Sequence, residues 1–357
     1  MLNFTVGPVM SEDSVLEIAN HSTPYFRTPE FSEIMLENER LILGMMNAPE
    51  GSRCVFLTAS GTGSMEACVM SVLNEKDRVL VVNGGSFGAR FVQLCALHEL
   101  DYTQIECEFG KPLTAGQLSQ FEGRGYTAFL INMHETSSGV LYDMKMVSDF
   151  CKRNGILLIV DAISAFIADD VDMTAFGAAA VITGSQKALA VQPGISLIAL
   201  SPEALERVYG NREKCMYLSL REALENGKRG QTPFTPAVTT LLQINRRLRD
   251  IEENGGISAE RKKIADIAAL FRKEIEDLPF ETVSGSPSNA VTSLHPLNAK
   301  ATDIVRILKD EYGIWACPNG GQMADVVFRI GHIGHITREN ILTLSAALHD
   351  MNRRGLL

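Results

Sequence analysis

An α/β fold built on a mostly parallel sheet covered on both faces is what this sequence predicts, and two observations predict it. Short β-branched apolar runs recur at CVFLTA (54–59), RVLVVNG (78–84), TAFLIN (127–132), ILLIVDA (156–162), AAVITG (179–184) and SLIAL (196–200). Amphipathic stretches of helical length separate most of them, with candidates at 63–74, 86–99 and 143–153. Strands that are apolar throughout rather than alternating are buried on both faces, which is the condition of a parallel sheet sandwiched by helices. The third helical candidate ends at Asn154-Gly155, a stop signal for a helix.

Past TPFTPAV (232–238) the pattern changes to two long charged helical stretches, LLQINRRLRDIEEN and ERKKIADIAALFRKEIEDL, followed by turn-rich segments such as EYGIWACPNGGQ. This divides the chain into a large domain over 1–240, with an N-terminal arm at 1–16, and a smaller α+β domain over 241–357. The 357 residues are 45% hydrophobic and 21% charged, enough to bury a sizeable core.

Composition also narrows the partners. A net charge of −10 without a basic run argues against nucleic acid and anionic lipid, leaving small molecules and copies of the chain itself. No run of some eighteen apolar residues occurs, and the start carries no leader pattern, so a cytoplasmic protein without a membrane span is expected. The seven cysteines form no CxxC pair, the histidines form no HExxH or Cys/His cluster, and His332 and His335 have no acidic or thiol ligand close in sequence. Reduced core thiols and no metal site are the expectation.

In open α/β sheets the ligand sits beyond the carboxyl ends of the strands, so the residues following each run carry the chemistry. After the first run, SGTGSMEA is a small-residue loop opening a helix, where free backbone N–H groups and the hydroxyls of Ser60 and Thr62 suit a phosphate; an ordinary turn reads the same way. After the second, Phe87 stands on a glycine-rich loop, either as core or as a flat ring stacked on a planar ligand. The third ends in Thr136, Ser137 and Ser138, hydroxyls for a ligand or for a turn. The fourth ends in Asp161, a carboxylate at the edge of an apolar strand that needs a cation, a donor or a helix to cap. The fifth delivers Lys187, 26 residues beyond Asp161, about one strand–helix–strand step. A desolvated lysine there becomes an amine nucleophile fit for Schiff-base chemistry. Together the five places describe one ligand with a phosphate, a flat ring, a protonated ring nitrogen and an aldehyde, and pyridoxal phosphate has those parts.

On these residues the sequence resembles the fold-type I, class V aminotransferases, on the branch of the alanine–glyoxylate, serine–pyruvate and 2-aminoethylphosphonate–pyruvate enzymes. The resemblance runs over almost the whole chain, through NFTVGP (3–8), ASGTGSMEA (59–67), NGGSFGAR (83–90), HETSSGVL (134–141), VDAISAF (160–166), GSQKAL (184–189), FTPAV (234–238) and FRIGHIG (328–334). It implies Lys187 as the Schiff-base lysine and proton shuttle, Asp161 as the partner of the ring nitrogen and Phe87 as the stacking ring. It further implies Ser60, Gly61, Thr62 and Gln186 at the phosphate, Thr136 at the cofactor ring, and Thr232 and Thr235 reaching the phosphate of a neighbouring subunit in a homodimer. Arg329 is implied as the clamp for the substrate's acid group, with Gly7 and Pro8 lining the entrance. The implied reaction moves an amino group from a small donor of the alanine, serine or 2-aminoethylphosphonate type to pyruvate or glyoxylate in two half-reactions. Phosphonate-specific members carry an arginine directly before Phe-Thr, where this chain has Pro233; Arg27 reads either as another candidate anion contact or as one half of a surface salt bridge. Two other readings stand beside this one. A cysteine desulfurase needs a histidine before the lysine, where this chain has Gln186, and a mobile cysteine, for which Cys317 is the candidate; a non-catalytic binding protein would be expected to lose the lysine or the aspartate.

Overall fold

The computed structural model describes residues 1–357. The strands in chain order are β1 (Leu2–Asn3), β2 (Arg53–Leu57), β3 (Arg78–Asn83), β4 (Asp101–Glu106), β5 (Ala128–Asn132), β6 (His134–Glu135), β7 (Val140–Leu141), β8 (Leu157–Asp161), β9 (Ala178–Gly184), β10 (Ser196–Leu200), β11 (Phe280–Thr282), β12 (Val291–Pro296), β13 (Ile314–Trp315), β14 (Cys317–Pro318) and β15 (Phe328–Gly331). The main sheet runs β2-β10-β9-β8-β5-β3-β4, parallel except for β10, which is antiparallel to both neighbours.

The continuous apolar runs are explained by two cores. Leu80, Val82, Phe129, Ile131, Leu158, Val160 and Val181 face one, and Val79, Val81, Leu130, Ile159 and Ile182 face the other, so successive residues of each strand are buried on opposite sides. Helices Gly61–Val72 and Gly88–Leu97 cover the second core, and Met144–Asn154 the first. The last stops at Gly155, whose φ of 64° only glycine takes without strain.

Two features differ from the expectation. SLIAL is antiparallel because only the turn carrying Lys187 separates β9 from β10, too short a link for a crossover. Edge strand β4, DYTQIE, was not foreseen because only Ile105 of its six residues is buried.

A third core belongs to the smaller domain, whose antiparallel sheet runs β11-β12-β15-β14. A division at residue 240 does not coincide with the change of packing. The Val238–Glu253 helix sends Leu241, Ile244, Leu248 and Ile251 into the large-domain core, and the Gly256–Glu274 helix crosses over, with Ile264 in that core and Phe271 in the third. The arm also divides. β1 pairs with β13, and Phe4 is fully buried in the third core, so residues 2–4 pack with that core. No helix is long and apolar enough to cross a membrane.

Candidate active site

Strands β5, β8 and β9 are neighbours, and their carboxyl ends bring Asn132, Asp161 and Lys187 to one edge of the sheet. Asp161 is 5% exposed. Its Oδ2 accepts from Asn132 Nδ2 at 2.5 Å, across the register pair the two residues form, and its Oδ1 accepts from the Ile163 N–H at 2.8 Å. Burial pushes this carboxyl up to about 6, although those two donors and Lys187 pull the other way. A buried carboxylate held by neutral donors and without an ion pair is a seat for a cation.

Lys187 lies in the turn after β9, partly buried, and its Nζ donates to the Val6 carbonyl at 2.6 Å. Burial lowers this amine to about 8; Cys317 and Asp161 hold it up, while Arg329 and Arg90 push it down. The residue before Pro8 must be glycine, because a Cβ on Gly7 would stand 2.8 Å from Lys187 Cδ and its φ is +124°. Asn3 and Thr5 donate to the Pro8 carbonyl, each at 2.9 Å, fixing this loop over the lysine.

The expected phosphate turn stands beside the carboxylate. Ser60 occupies the N-cap of the Gly61–Val72 helix without a side-chain cap bond, leaving its hydroxyl and the N–H groups of Gly61 and Thr62 free. A Cβ on Gly61 would lie 2.3 Å from Ile163 Cδ1, which shows how tightly the helix start presses on the Asp161 turn. Arg90 ties the next piece in: its NH1 donates to Thr62 Oγ1 at 3.0 Å, and its guanidinium lies 5.0 Å from the Phe87 ring centroid. Phe87 is held by Glu135, a residue missed from sequence. The buried Glu135 carboxylate accepts from the N–H groups of Gly88 at 2.9 Å, Ser137 at 3.2 Å and Phe87 at 3.4 Å, and from the Ser137 hydroxyl. It neutralises the helix start that Phe87 opens.

Thr136 and Arg329 close the far side. Thr136 Oγ1 is 2.7 Å from Ser164 Oγ, which also lies 2.9 Å from His134 Nδ1 and 3.4 Å from the His134 carbonyl. Arg329, on β15, donates from NH1 to the Thr136 carbonyl at 3.2 Å and from NH2 to the Pro318 carbonyl at 2.7 Å. Gln186 folds back beside Gly184 and adjoins Lys187 in the chain.

Three more residues named from sequence lie along one segment, 231–235, and its contacts. Arg27 donates to Gln231 Oε1, the Thr232 carbonyl and the Pro233 carbonyl at 3.1, 2.8 and 3.2 Å, so it fastens the 231–233 segment. Thr232 bonds the Phe234 carbonyl at 2.7 Å, and Thr235 is exposed. Both lie next to the Phe234–Tyr217 ring stack. His332 and His335 are occupied by Thr292 and Glu12.

The residues present fit pyridoxal phosphate. Asp161 offers a buried anion to a ring cation, Lys187 an amine to an aldehyde, Ser60 to Thr62 free donors to a phosphate, and Phe87 a ring face. Buried Asn132 Oδ1, His134 Nε2 and Arg329 Nε have no partner in the protein.

Residues 13–344 match the family model described as aminotransferase class-V. The chain is 30% identical over 352 residues to the soluble hydrogenase 42 kDa subunit of Anabaena cylindrica, covering 96% of this chain and 90% of that one. It is 27% identical over 350 residues to the L-aspartate–glyoxylate aminotransferase of Paracoccus denitrificans, covering 94% and 86%. The solved structure of an aspartate aminotransferase of subgroup IV from Thermus thermophilus matches with a TM-score of 0.92 at 25% identity, over 100% of both chains.

Proposed function

We propose a substrate class for this chain, which belongs to the class-V aminotransferase family and so is a pyridoxal phosphate-dependent transaminase: the donor is a small amino acid of the alanine or serine type, and the acceptor is pyruvate or glyoxylate. The observation that carries the proposal is Arg329. Its guanidinium is aimed by two carbonyls, keeps a buried Nε free and acts electrostatically on Lys187. The other cation acting on Lys187 is Arg90, which is spoken for by Thr62 and Phe87. One planar guanidinium matches one carboxylate, whereas a phosphonate dianion calls for a second cation, and the position before Phe234 is Pro233.

When bound, pyridoxal phosphate supplies an aldehyde that exchanges amines and a ring that takes up electrons. The protein's part is positional and protolytic. Asp161 would hold a proton on the ring nitrogen by lending its buried charge. Lys187 would supply a free amine at Nζ to carry a proton from the donor's nitrogen-bearing carbon. Phe87, its loop held by Glu135, would cover one ring face, and Arg329 would fix the substrate's acid group so that this carbon faces Lys187. The second half-reaction reverses these roles with the oxo acid.

The active form we propose is a homodimer in the cytoplasm. Thr232 and Thr235 lie beside exposed Tyr217 and Phe234, a surface suited to a second copy, and all seven cysteines are free, which suits a reducing compartment. Steady-state comparison of L-alanine, L-serine and 2-aminoethylphosphonate as donors tests the substrate reading. The carboxylate donors should exceed the phosphonate in kcat/KM by about tenfold or more; a phosphonate donor that outruns both would overturn it.

A further inference from the structure

His134 is a buried imidazole to which the reaction above gives no task. It is 2% exposed at the start of β6, with Nδ1 on Ser164 Oγ at 2.9 Å and Nε2 bonded to nothing. Lys187, Arg329 and Arg272 are the charges that act on it, and burial together with these cations keeps the ring neutral, lowered to about 3. A neutral imidazole carries one proton, and the two choices have different consequences.

If Nε2 carries the proton, a buried N–H is left without an acceptor, an arrangement native proteins seldom tolerate. Ser164 must then donate to Nδ1, and Thr136 must donate to Ser164. If Nδ1 carries the proton, only a lone pair is left unused. His134 donates to Ser164, and Ser164 donates onward. Its better acceptor is Thr136 Oγ1 at 2.7 Å; the His134 carbonyl at 3.4 Å is the poorer one. The Thr136 hydroxyl proton is then free of the protein.

We propose that His134, protonated on Nδ1, is a positioning residue that sets the direction of the Ser164–Thr136 hydrogen-bond chain, so that the Thr136 hydroxyl is presented as a donor to the cofactor. This rests on the reading that Thr136 borders the cofactor ring. The acceptor is an oxygen of that ring system, and the three residues behave as one unit: cutting any link has the effect of removing the Thr136 donor.

Two measurements test this. In holoenzyme labelled with 15N-histidine, long-range proton–nitrogen correlation reports which ring nitrogen of His134 is protonated, with His134→Asn assigning the signal; Nδ1 is expected, and an Nε2 proton overturns the relay. Cofactor retention, read from the visible absorbance of bound pyridoxal phosphate during dilution, should weaken about three- to tenfold in Thr136→Val, the effect of one neutral hydrogen bond. Ser164→Ala, His134→Leu and the double variant Thr136→Val/Ser164→Ala should match that loss rather than add to it. His134→Asn places an amide N–H where Nδ1 stood and should restore retention. If His134→Leu does not fold, Ser164→Ala breaks the same chain. Losses that multiply in the double variant overturn the relay. A Thr136→Val protein that retains the cofactor as wild type does, with His134 protonated on Nδ1, overturns the placement of Thr136 and leaves the aminotransferase reading intact.

Discussion

Replacing Asp161 by Asn should make the cofactor-free protein more stable and the loaded protein weaker at holding its cofactor. The substitution is isosteric, and Asn132 accommodates it: its Oδ1 has no partner, so turning the amide over offers an acceptor to the new N–H while Ile163 keeps its bond to Oδ1. A carboxyl that ionises near 6 rather than 3.8 costs the folded state about 3 kcal/mol once ionised. Because the folded-state value is raised, this cost is absent below the unfolded value, grows as pH climbs toward about 6 and is complete above it. For 357 residues, with about 2.1 cal/mol/K of unfolding entropy per residue, 3 kcal/mol corresponds to a rise of about 4 °C in Tm. Thermal unfolding of the cofactor-free proteins near pH 8 and near pH 4 reads this directly, with the advantage present at the first and gone at the second. With cofactor the order reverses, since Asn gives up a charge-assisted bond of about 1.5–3 kcal/mol, or about ten- to a hundredfold in retention. A cofactor-free Asp161→Asn protein that melts at or below wild type near pH 8 would refute the view that this carboxylate is kept, at a cost, for a cation.

The remaining predictions concern the lysine, the arginine and the glutamate. Borohydride capture of pyridoxal phosphate by the cofactor-free protein should speed up as pH rises through about 8, where Lys187 becomes a free amine, and then level off; a rise that continues past 10 would place the lysine in an ordinary environment. Arg329→Lys keeps the charge but loses the planar fork, so kcat/KM should fall about ten- to a hundredfold, mainly through KM for the acid substrates. Glu135→Gln turns an N–H group toward the Gly88 donor and should cost about 1–3 kcal/mol in unfolding experiments together with weaker cofactor retention; a neutral effect on both would remove Glu135 from its role under Phe87.

How much was legible in the sequence follows from what each residue does. Strands buried on both faces write their burial as unbroken apolar runs, which is why β3, β5, β8 and β9 stood out and why polar edge strand β4 did not. Lys187 and Asp161 were visible because a charge closing an apolar run is anomalous. Glu135, Ser164 and His134 were not, since their roles depend on partners such as Gly88 and Thr136 that only the folded chain brings within hydrogen-bond distance. The one cue was the string HETSSG, with an acid amid hydroxyls at a strand end. Arg27 is the converse case: among aromatic and threonine residues it looks like an anion contact, and the partners it has here, the Gln231 side chain and two main-chain carbonyls, lie more than 200 positions away, where the sequence does not show them. The domain limit was blurred because the helices at 238–274 carry charged faces outward in both domains, while their apolar faces change cores midway.

The most direct test is to reduce the loaded enzyme with borohydride and map the modified peptide, before and after a donor such as L-alanine is added. The account predicts cofactor attached to Lys187, attachment lost when the donor displaces the lysine, and attachment regained once pyruvate or glyoxylate is supplied. Cofactor fixed to another lysine, or a Lys187 attachment that every amino donor leaves untouched, would contradict it.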